Sequence, residues 1–268
     1  MGAMSNIDLR DSSTSRVTTT TSKGDTVTDA YQEPVFRSDV TVELVKSAAS
    51  DSDVLFAARV STKGETSLED VAGDADRSKG LINYLMRDRH GTPFEHNSLT
   101  YFVSAPIFVF REFMRHRIAS YNEESGRYRE LNPVFYVPGP QRNLIQEGKP
   151  GAYDFRPGTQ EQYEITVRET RAACERAYRA YQEMLAAGVA REVARGVLPV
   201  ATYSSMYVTM NARSLMNFLS LRTKRPDSTF PSFPQREIEM VAEAMEAQWA
   251  ELMPLTYASF CDNGRVAP

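Results

Sequence analysis

Residues 115–127 bring cationic, protonatable and acidic side chains together in one short run. The run begins with Arg-His-Arg, continues to a Glu-Glu pair and ends in a Ser-Gly-Arg turn. Arginine presents a planar fork of N–H donors that grips a phosphate or a carbonyl edge at two points, which lysine cannot do. Residues 111–129 contain five Arg and no Lys. The run therefore predicts a site for an anionic ligand, and a solvated or salt-bridged helix end is the structural alternative.

The order of these residues resembles RHRxxxxxxxS, a signature of the flavin-dependent thymidylate synthases, whose fixed positions fall on Arg115, His116, Arg117 and Ser125. Residues 92–96 form a second block, TPFEH, ahead of the signature. Residues 211–222 form a third block, NARSLMNFLSLR, after it. The three blocks stand in the family order and cover roughly residues 40–260.

The resemblance implies the reductive methylation of dUMP to dTMP. In the family, 5,10-methylenetetrahydrofolate donates the carbon unit, and FAD reduced by NADPH supplies the hydride. No enzyme cysteine attacks the uracil ring in this family. Neither Cys174 nor Cys261 looks like a nucleophile, because one lies in an amphipathic helical pattern and the other stands between Phe260 and Asp262. Both are expected to be reduced, with core or passive roles.

Activation of the uracil falls in the family to the arginine that ends the third block, which is Arg222 in this chain. A guanidinium against the N3 to O2 edge would stabilise the anion that makes C5 nucleophilic. His90 matches a histidine thought to lie near the flavin and is the second residue to which the resemblance gives a catalytic role. His96 is expected to orient Thr92 and Glu95.

The resemblance also assigns ligand contacts residue by residue. The residues expected to contact dUMP are Glu112, Arg115, Glu123, Glu124, Ser125, Gly126, Arg127, Arg195 and Arg222. The residues expected to contact the flavin are Thr92, Arg115, His116, Arg117, Glu123, Asn211, Arg213 and Asn217. Family members are homotetramers whose sites are built from several subunits, and the same assembly is expected here.

Two positions depart from the family pattern. Glu112 stands where many members have Gln, and a carboxylate there would accept a hydrogen bond but repel phosphate. The loop at 223–232 is longer than in some relatives and lacks a histidine that they carry. Structural roles also stay open for three of the assigned residues. Arg222 could serve only as a charge at a helix C-terminus, and Asn211 and Asn217 could be a helix cap and a polar helix face.

The charge balance limits the partners of the chain. Its formal net charge is −4, which disfavours long-range attraction to nucleic acid polymers. Of its 31 basic residues six are Lys, which leaves 25 Arg. An acidic protein with local arginine clusters suits small phosphorylated ligands better than a polyanion.

Three rival interpretations remain from the residues themselves. An RNA-binding protein without catalysis would use arginine and tyrosine on one surface, at Arg115, Arg117, Tyr121, Arg127 and Tyr128. A metal enzyme would draw on His90, Glu95, His96 and His116, but no HExxH-like pair is present and no metal site is predicted. A structural oligomer without activity is the third.

Length and composition indicate an ordinary globular protein. The chain has 268 residues, of which 41% are apolar and 25% charged, and one domain is expected. No run approaches the roughly 20 apolar residues of a membrane helix, and no secretory signal is evident, so we expect a cytoplasmic protein without membrane contact. Residues 1–34 are predicted to be a mobile or extended tail, with a cloning remnant at 1–4, and residues 35–268 to form the catalytic domain.

Apolar periodicity predicts the elements that must position these residues. Strands are expected at 40–45, 96–104 and 202–210. Helices are expected after a cap at Asp51 or Ser52, at 81–91, from Pro106 to Met114, at 159–187, at 192–195, from a cap at Asn211 to Leu221, and finally through 238–252. Residues 132–158 and 226–234 are predicted loops. This mixture favours an α+β fold with a mainly antiparallel sheet packed against long helices, and no GxGxxG Rossmann fingerprint is present.

Overall fold

The structure is a computed structural model that describes residues 32–64, 75–150 and 152–268. All but the last three residues of the predicted tail at 1–34 lie outside the described residues, and so does the suggested cloning remnant at 1–4. The division of the chain into this tail and a catalytic domain stays a prediction.

Eight strands are present in the described residues. They are β1 (Val35–Arg37), β2 (Thr41–Ala48), β3 (Ser98–Pro106), β4 (Ser120–Glu123), β5 (Val134–Tyr136), β6 (Ile145–Lys149), β7 (Ala152–Arg156) and β8 (Tyr203–Met210).

The described residues also form eight α-helices. They are α1 (Asp51–Lys63), α2 (Ala75–Arg87), α3 (Ile107–Phe113), α4 (Gln160–Ala186), α5 (Arg191–Ala194), α6 (Ala212–Arg222), α7 (Arg236–Leu252) and α8 (Pro254–Asp262). Two short 3-10 helices lie at Thr92–Glu95 and Arg195–Val197.

A four-stranded antiparallel sheet in the order β2-β3-β8-β4 is the centre of the fold. Alternation along β3 places Leu99, Tyr101 and Val103 on one face, and all three are fully buried, as the sequence predicts. Val208 of β8 pairs with Tyr101 on one side and with Tyr121 of β4 on the other. The α+β prediction with a mainly antiparallel sheet is confirmed.

Strand β4 was not among the predicted elements, although it lies inside the signature run. It pairs with the edge of β8 over four residues, and the backbone N–H of Glu124 then donates to the carbonyl of Ser205 at 2.8 Å. The central part of the signature is therefore held by the sheet and not by a loop.

Long helices cover one face of the sheet with aromatic side chains. Trp249 of α7, Phe260 of α8, Phe113 of α3 and Phe218 of α6 have no exposed surface. Full burial of such a side chain contributes about 1.5–3 kcal/mol relative to exposure. The ends of α3 and α6 are thereby fixed against each other and against the sheet.

The cap predicted for α1 at Asp51 or Ser52 is wrong, since Ser50 is the N-cap and accepts a hydrogen bond from the N–H of Asp53. Asp51 has another role. Its carboxylate accepts hydrogen bonds at 2.9 Å from the backbone N–H groups of Leu255 and Thr256, in the first turn of α8. The expectation that α7 is the final helix is also wrong, because Pro254 begins α8 after a one-residue break.

The prediction of a loop over 132–158 is wrong as well. Strand β5 pairs in parallel with β1, and β6 and β7 form an antiparallel hairpin. The Pro and Gly residues that suggested a loop lie at the ends of these strands and at the turn, where Gly148 has a φ of 98°. Parallel pairing with a strand about 100 residues earlier leaves no local pattern from which to predict it.

Most other elements are confirmed within a few residues. Helix α2 ends at Arg87 and not at Gly91, because the chain turns through Arg89, whose φ is 67°. Asn211 caps α6 as predicted, with its side chain accepting from the N–H of Ser214 at 2.9 Å. Helix α3 ends directly before the Arg-His-Arg triplet, also as predicted.

Candidate functional site

Helices α3 and α6 bring the end of the third block to the start of the signature. The rings of Phe113 and Phe218 stack with centroids 4.4 Å apart, which joins the two helices near their C-terminal ends. Arg222 is the last residue of α6, and it lies one helical turn after Phe218. Its guanidinium therefore reaches the end of α3.

Arg222, Glu112 and His116 form a half-buried cluster. Nε of Arg222 donates to Nε2 of His116 at 3.1 Å, and Nη1 donates to Oε2 of Glu112 at 3.0 Å. Two of the predicted dUMP contacts and one predicted flavin contact are thus in direct contact with one another. The possible role of Arg222 as only a helix C-terminal charge does not account for these two side-chain bonds.

Burial controls protonation in this cluster. Burial, together with the nearby charge of Arg222, lowers the pKa of His116 to about 4, so the imidazole is neutral near pH 7. Burial also raises the pKa of Glu112, although Arg222 opposes this effect and Glu237 adds to it. A neutral imidazole can accept the hydrogen bond from Arg222 only through its unprotonated nitrogen.

Tyr121 secures the turn that carries His116. Its O–H donates to the backbone carbonyls of His116 at 2.6 Å and Phe113 at 3.0 Å. Burial raises the pKa of Tyr121 to about 12, which keeps this hydroxyl a donor. Sequence reasoning treated Tyr121 only as a possible RNA-stacking residue. No local signal could have identified it, because strand β4, on which Tyr121 faces inward, was itself not predicted.

The two arginines of the triplet are exposed. In the described part of the chain, no ion pair or hydrogen bond engages the side chains of Arg115 and Arg117. Their guanidinium groups are therefore available to a ligand. The guanidinium of Arg222, in contrast, already bonds His116, the residue between them.

The Ser-Gly-Arg turn is compact. Oγ of Ser125 accepts from the N–H of Arg127 at 3.3 Å. A Cβ at Gly126 would lie 3.1 Å from Cδ of Arg195 and 3.0 Å from Cδ1 of Leu131, so the glycine is needed for space and not for an unusual φ. The turn thus brings together Ser125, Gly126 and Arg195, which the sequence placed 70 residues apart.

Other charged residues of the signature run form ion pairs. Arg127 pairs with Glu192 at 2.9 Å, and Glu124 pairs with Arg129 at 3.1 Å. Both pairs are at least partly exposed, and such pairs contribute little to stability. Glu123 is half-buried at the end of β4.

The second block contacts the first turn of α6. Arg213 donates from Nη1 to Glu95 and from Nε to the carbonyl of Pro268, with distances of 2.5 and 2.6 Å. The Cα of Gly91 is so close that an added Cβ would lie 2.5 Å from Cζ of Arg213. Thr92, next to that glycine, begins the 3-10 helix and is exposed.

Asn217 lies on the exposed face of α6 and donates to the carbonyl of Arg213 at 3.2 Å. His90 is also exposed, and its ring stacks on Tyr84 at 5.5 Å. The expected orientation of Thr92 and Glu95 by His96 is not seen, because Glu95 pairs with Arg213 and His96 is exposed.

Comparisons with known proteins bear on this arrangement. The family model described as Thymidylate synthase complementing protein matches residues 43–255. Curated relatives are named flavin-dependent thymidylate synthase. The relative from Streptomyces avermitilis is 72% identical over 88% of this chain and 96% of its own length. The relative from Tropheryma whipplei is 60% identical over 88% of this chain and 98% of its own length.

The chain belongs to the flavin-dependent thymidylate synthase family.

Among solved structures, this family member is similar to a UMP/dUMP methylase, PolB from Streptomyces cacaoi, bound with 5-Br dUMP. The TM-score is 0.83 and the sequence identity 57%, over 87% of this chain and 100% of that one. The resemblance predicted from the three blocks is confirmed, and none of the comparisons supports an RNA-binding protein.

A buried charged cluster next to Glu112 was missed by sequence reasoning in this thymidylate synthase family member. Arg142 donates from Nε to Glu237 at 2.7 Å, and the hydroxyl of Tyr136 also donates to Glu237. Burial works to raise the pKa of Glu237, but hydrogen bonds from Arg142 and Tyr136 hold it below its ordinary value. Tyr136 and Arg142 lie in the segment 132–158, which was wrongly predicted to be a loop. No local signal links them to Glu237 of α7.

A cavity of about 200 Å³ lies between the β6–β7 hairpin and the loop before α7. Aromatic and charged side chains line it, among them Arg142, Tyr153, Phe155, Lys224 and Phe233. None of the predicted site residues lines this cavity. Several of the predicted contacts, among them Arg115, Arg117 and Arg127, are instead exposed.

Both cysteines have protonated thiols. Burial raises the pKa of Cys174 to about 11, and Cys174 packs in the core against Phe135, as predicted. Burial also raises the pKa of Cys261, which accepts a hydrogen bond from Arg265. Neither thiol has the depressed pKa of a nucleophilic cysteine.

In the described ranges, no group of three His, Cys, Asp or Glu side chains is arranged to hold a metal ion. The helices of these ranges include none that is both long and apolar enough to cross a membrane.

Proposed function

We propose that the protein catalyses the reductive methylation of dUMP to dTMP as a flavin-dependent thymidylate synthase. The observation that carries the proposal is the half-buried guanidinium of Arg222, which Glu112 and His116 hold at the junction of the third block and the signature. Family membership and the 5-Br dUMP bound to a similar methylase support dUMP as the substrate.

The arginines of the triplet fit a flavin dinucleotide. A pyrophosphate needs cations that neighbouring carboxylates do not neutralise, and Arg115 and Arg117 are exposed without an acidic partner among the described residues. Arg213, Asn211 and Asn217 would complete the contacts on α6. When bound, reduced FAD would supply the hydride that completes the methyl group, with NADPH as its reductant and 5,10-methylenetetrahydrofolate as the carbon donor.

Arg222 would activate the uracil ring. Its guanidinium is fixed before the substrate arrives, so little reorganisation is required when negative charge develops on the N3 to O2 edge. Loss of one such preorganised donor typically costs ~10²–10³ in rate. The charge stabilised at that edge makes C5 of the ring nucleophilic.

The Ser-Gly-Arg turn would hold the nucleotide phosphate. Ser125 offers a hydroxyl, the turn offers backbone N–H groups, and Arg195 packs directly against Gly126. Arg115 and Arg127 would add positive charge, and Arg127 would exchange its exposed partner Glu192 for the phosphate. Glu123 and Glu124 would contact the sugar or base, because carboxylates repel phosphate.

Protonated thiols support a mechanism without an enzyme cysteine nucleophile. At neutral pH, the raised pKa values of Cys174 and Cys261 leave almost no thiolate to attack the ring. Activation must then come from groups that polarise the uracil, which agrees with the assignment of Arg222.

Assembly as a homotetramer with shared sites completes the proposal. Several residues proposed for dUMP and flavin are exposed in the described part of one chain, among them Thr92, Arg115, Arg117, Arg127 and Asn217. Two large ligands need walls on more than one side, and a neighbouring subunit would supply them. The catalytic role of His90 and the cytoplasmic location stay predictions.

The test is the visible absorption spectrum of the purified protein before and after addition of dUMP, followed by an assay of dTMP formation. A flavin spectrum that changes with dUMP, together with dTMP formation that depends on methylenetetrahydrofolate and NADPH, would support the proposal. A colourless protein that takes up no added FAD would overturn it.

A further inference from the structure

Arg222 is held by two acceptors of different charge. Its Nε donates to the imidazole of His116, and its Nη1 donates to the carboxylate of Glu112. A guanidinium has five N–H donors in one plane. The other three, on Nη1 and Nη2, have no side-chain or backbone acceptor among the described residues. Two anchors on a planar group fix its plane, and they therefore fix the direction of the free donors.

His116 is itself rigidly placed. Its ring meets Phe218 edge-on with centroids 4.8 Å apart, and it contacts Arg222 one helical turn later on α6. Its backbone carbonyl accepts from Tyr121 at 2.6 Å, and its N–H donates to the carbonyl of Phe113 at 3.0 Å. The imidazole is thus fixed through both its ring and its backbone, and it can impose an orientation on the arginine.

A neutral acceptor has a specific advantage here. A second carboxylate in place of His116 would orient Arg222 equally well, but it would neutralise the charge that must stabilise the uracil anion. The neutral imidazole orients the guanidinium without cancelling its charge. For the same reason the single carboxylate, Glu112, carries only one of the two hydrogen bonds.

We propose that His116 is a positioning residue, whose Nε2 fixes the plane of the Arg222 guanidinium so that its free N–H donors meet the N3 to O2 edge of the uracil. This inference rests on the proposed function. It differs from the flavin contact that the family resemblance gives to His116, because it makes the imidazole act on the pyrimidine through Arg222.

The test compares His116→Phe with His116→Gln. Phenylalanine keeps a ring against Phe218 but removes the acceptor, whereas glutamine places an amide oxygen close to the position of Nε2. The probe is 5-fluoro-dUMP, whose N3–H ionises at lower pH than that of dUMP. Its ionisation when bound is followed by ultraviolet absorption, flavin content is measured by visible absorption, and dUMP affinity is measured by titration.

The expected result is selective. His116→Phe should raise the pKa of the bound N3–H by about one unit and slow dTMP formation at least tenfold, with flavin content and dUMP affinity within threefold of the unmodified protein. His116→Gln should recover more than half of the ionisation shift. In an Arg222→Lys background, His116→Phe should produce no additional shift.

Unchanged N3 ionisation in His116→Phe would overturn the inference, and so would an equal shift in the Arg222→Lys background. Should His116→Phe not fold, ¹⁵N NMR of the three histidines in the unmodified protein decides the question. Protonation on Nδ1 of His116 in the dUMP complex supports the inference, and protonation on Nε2 overturns it. Failure of the proposed function is a separate result, because the unmodified protein would then bind no flavin or form no dTMP.

Discussion

The cluster around Arg222 lies next to the triplet arginines Arg115 and Arg117, but the two regions differ in burial and in the partners of their arginines. Arg222 is half-buried and already bonded to two side chains, whereas the triplet arginines are exposed and have no acidic partner in the described part of the chain. The half-buried Arg222 cluster is assembled within one chain. In our proposal, the exposed arginines gain their partners only when ligands bind and a second subunit packs against them. In our proposal, the group that activates the uracil is thus preorganised, and the groups that bind the cofactor are not.

The largest expected effect is the loss of Arg222. Arg222→Ala should retain flavin and lower the rate of dTMP formation by ~10²–10³, because a fixed cation at the developing anion is removed. Steady-state assays with saturating dUMP measure this effect. The matched control is Arg168→Ala, which removes an exposed arginine of α4 paired with Glu169 and should leave the rate unchanged. Full turnover by Arg222→Ala would remove the distinction between the two regions.

Arg117→Ala should show the reverse pattern. Loss of one charge-assisted bond to a pyrophosphate typically costs about 1.5–3 kcal/mol, so FAD affinity should fall by roughly 10–100-fold. Turnover should recover when excess FAD is added. Fluorescence titration of the flavin-free protein gives the affinity. A variant that binds FAD normally but turns over slowly would place Arg117 in the activation chemistry.

Gly91→Ala should disturb only the second block and its contact with Arg213. The added Cβ would lie 2.5 Å from Cζ of Arg213, so the guanidinium must move away from Glu95 and Pro268. Such overpacking typically costs about 1–3 kcal/mol of stability. Thermal unfolding and FAD titration should both detect the change, and N3 ionisation of bound 5-fluoro-dUMP should not. The double variant with Arg213→Ala should recover most of the stability.

Stability should fall in mildly acidic solution because of His116. The folded protein holds its pKa at about 4, below the ordinary 6.5, so the unfolded chain takes up the proton first as pH is lowered. This contribution is fully present above pH 6.5 and is lost progressively toward pH 4. Urea unfolding at several pH values, compared with His116→Gln, isolates it. Parallel pH profiles of the two proteins would contradict the prediction.

The smallest expected effect belongs to the cysteines. Cys174→Ala and Cys261→Ala should leave turnover nearly intact, because both thiols are protonated at neutral pH. Cys174→Ala should lose about 1 kcal/mol of stability, since it leaves a small cavity in the core. A folded variant without activity would point to a covalent enzyme nucleophile.

Local signals predicted much of this fold. The alternation in β3, the cap at Asn211 and the end of α3 before the triplet all depend on neighbours within a few residues, and all three are confirmed. The family signature added predicted ligand contacts, which stay predictions. That Arg222 would meet Glu112 and His116 follows from the Phe113–Phe218 stack, which no local pattern shows.

Three of the misses share one physical cause. Strand β5 pairs with β1, Glu237 of α7 bonds Arg142, and β4 depends on the free edge of β8. Each contact joins residues distant in sequence, and each replaces a weak local preference with a tertiary one. Short strands with Pro and Gly at their ends are therefore predicted as a loop from sequence alone, because the strands that pair with them are not known.

The hydrogen bonds from the first turn of α8 to Asp51 can form only late in the synthesis of the chain. Residues 204 positions apart must both exist before this cap can form. At a synthesis rate of about 5–20 residues per second, Asp51 waits roughly 10–40 s for its partners. During that interval the first-turn carboxylate of α1 lacks these two backbone N–H partners. The link between α1 and α8 can therefore form only when nearly the whole chain has been synthesised.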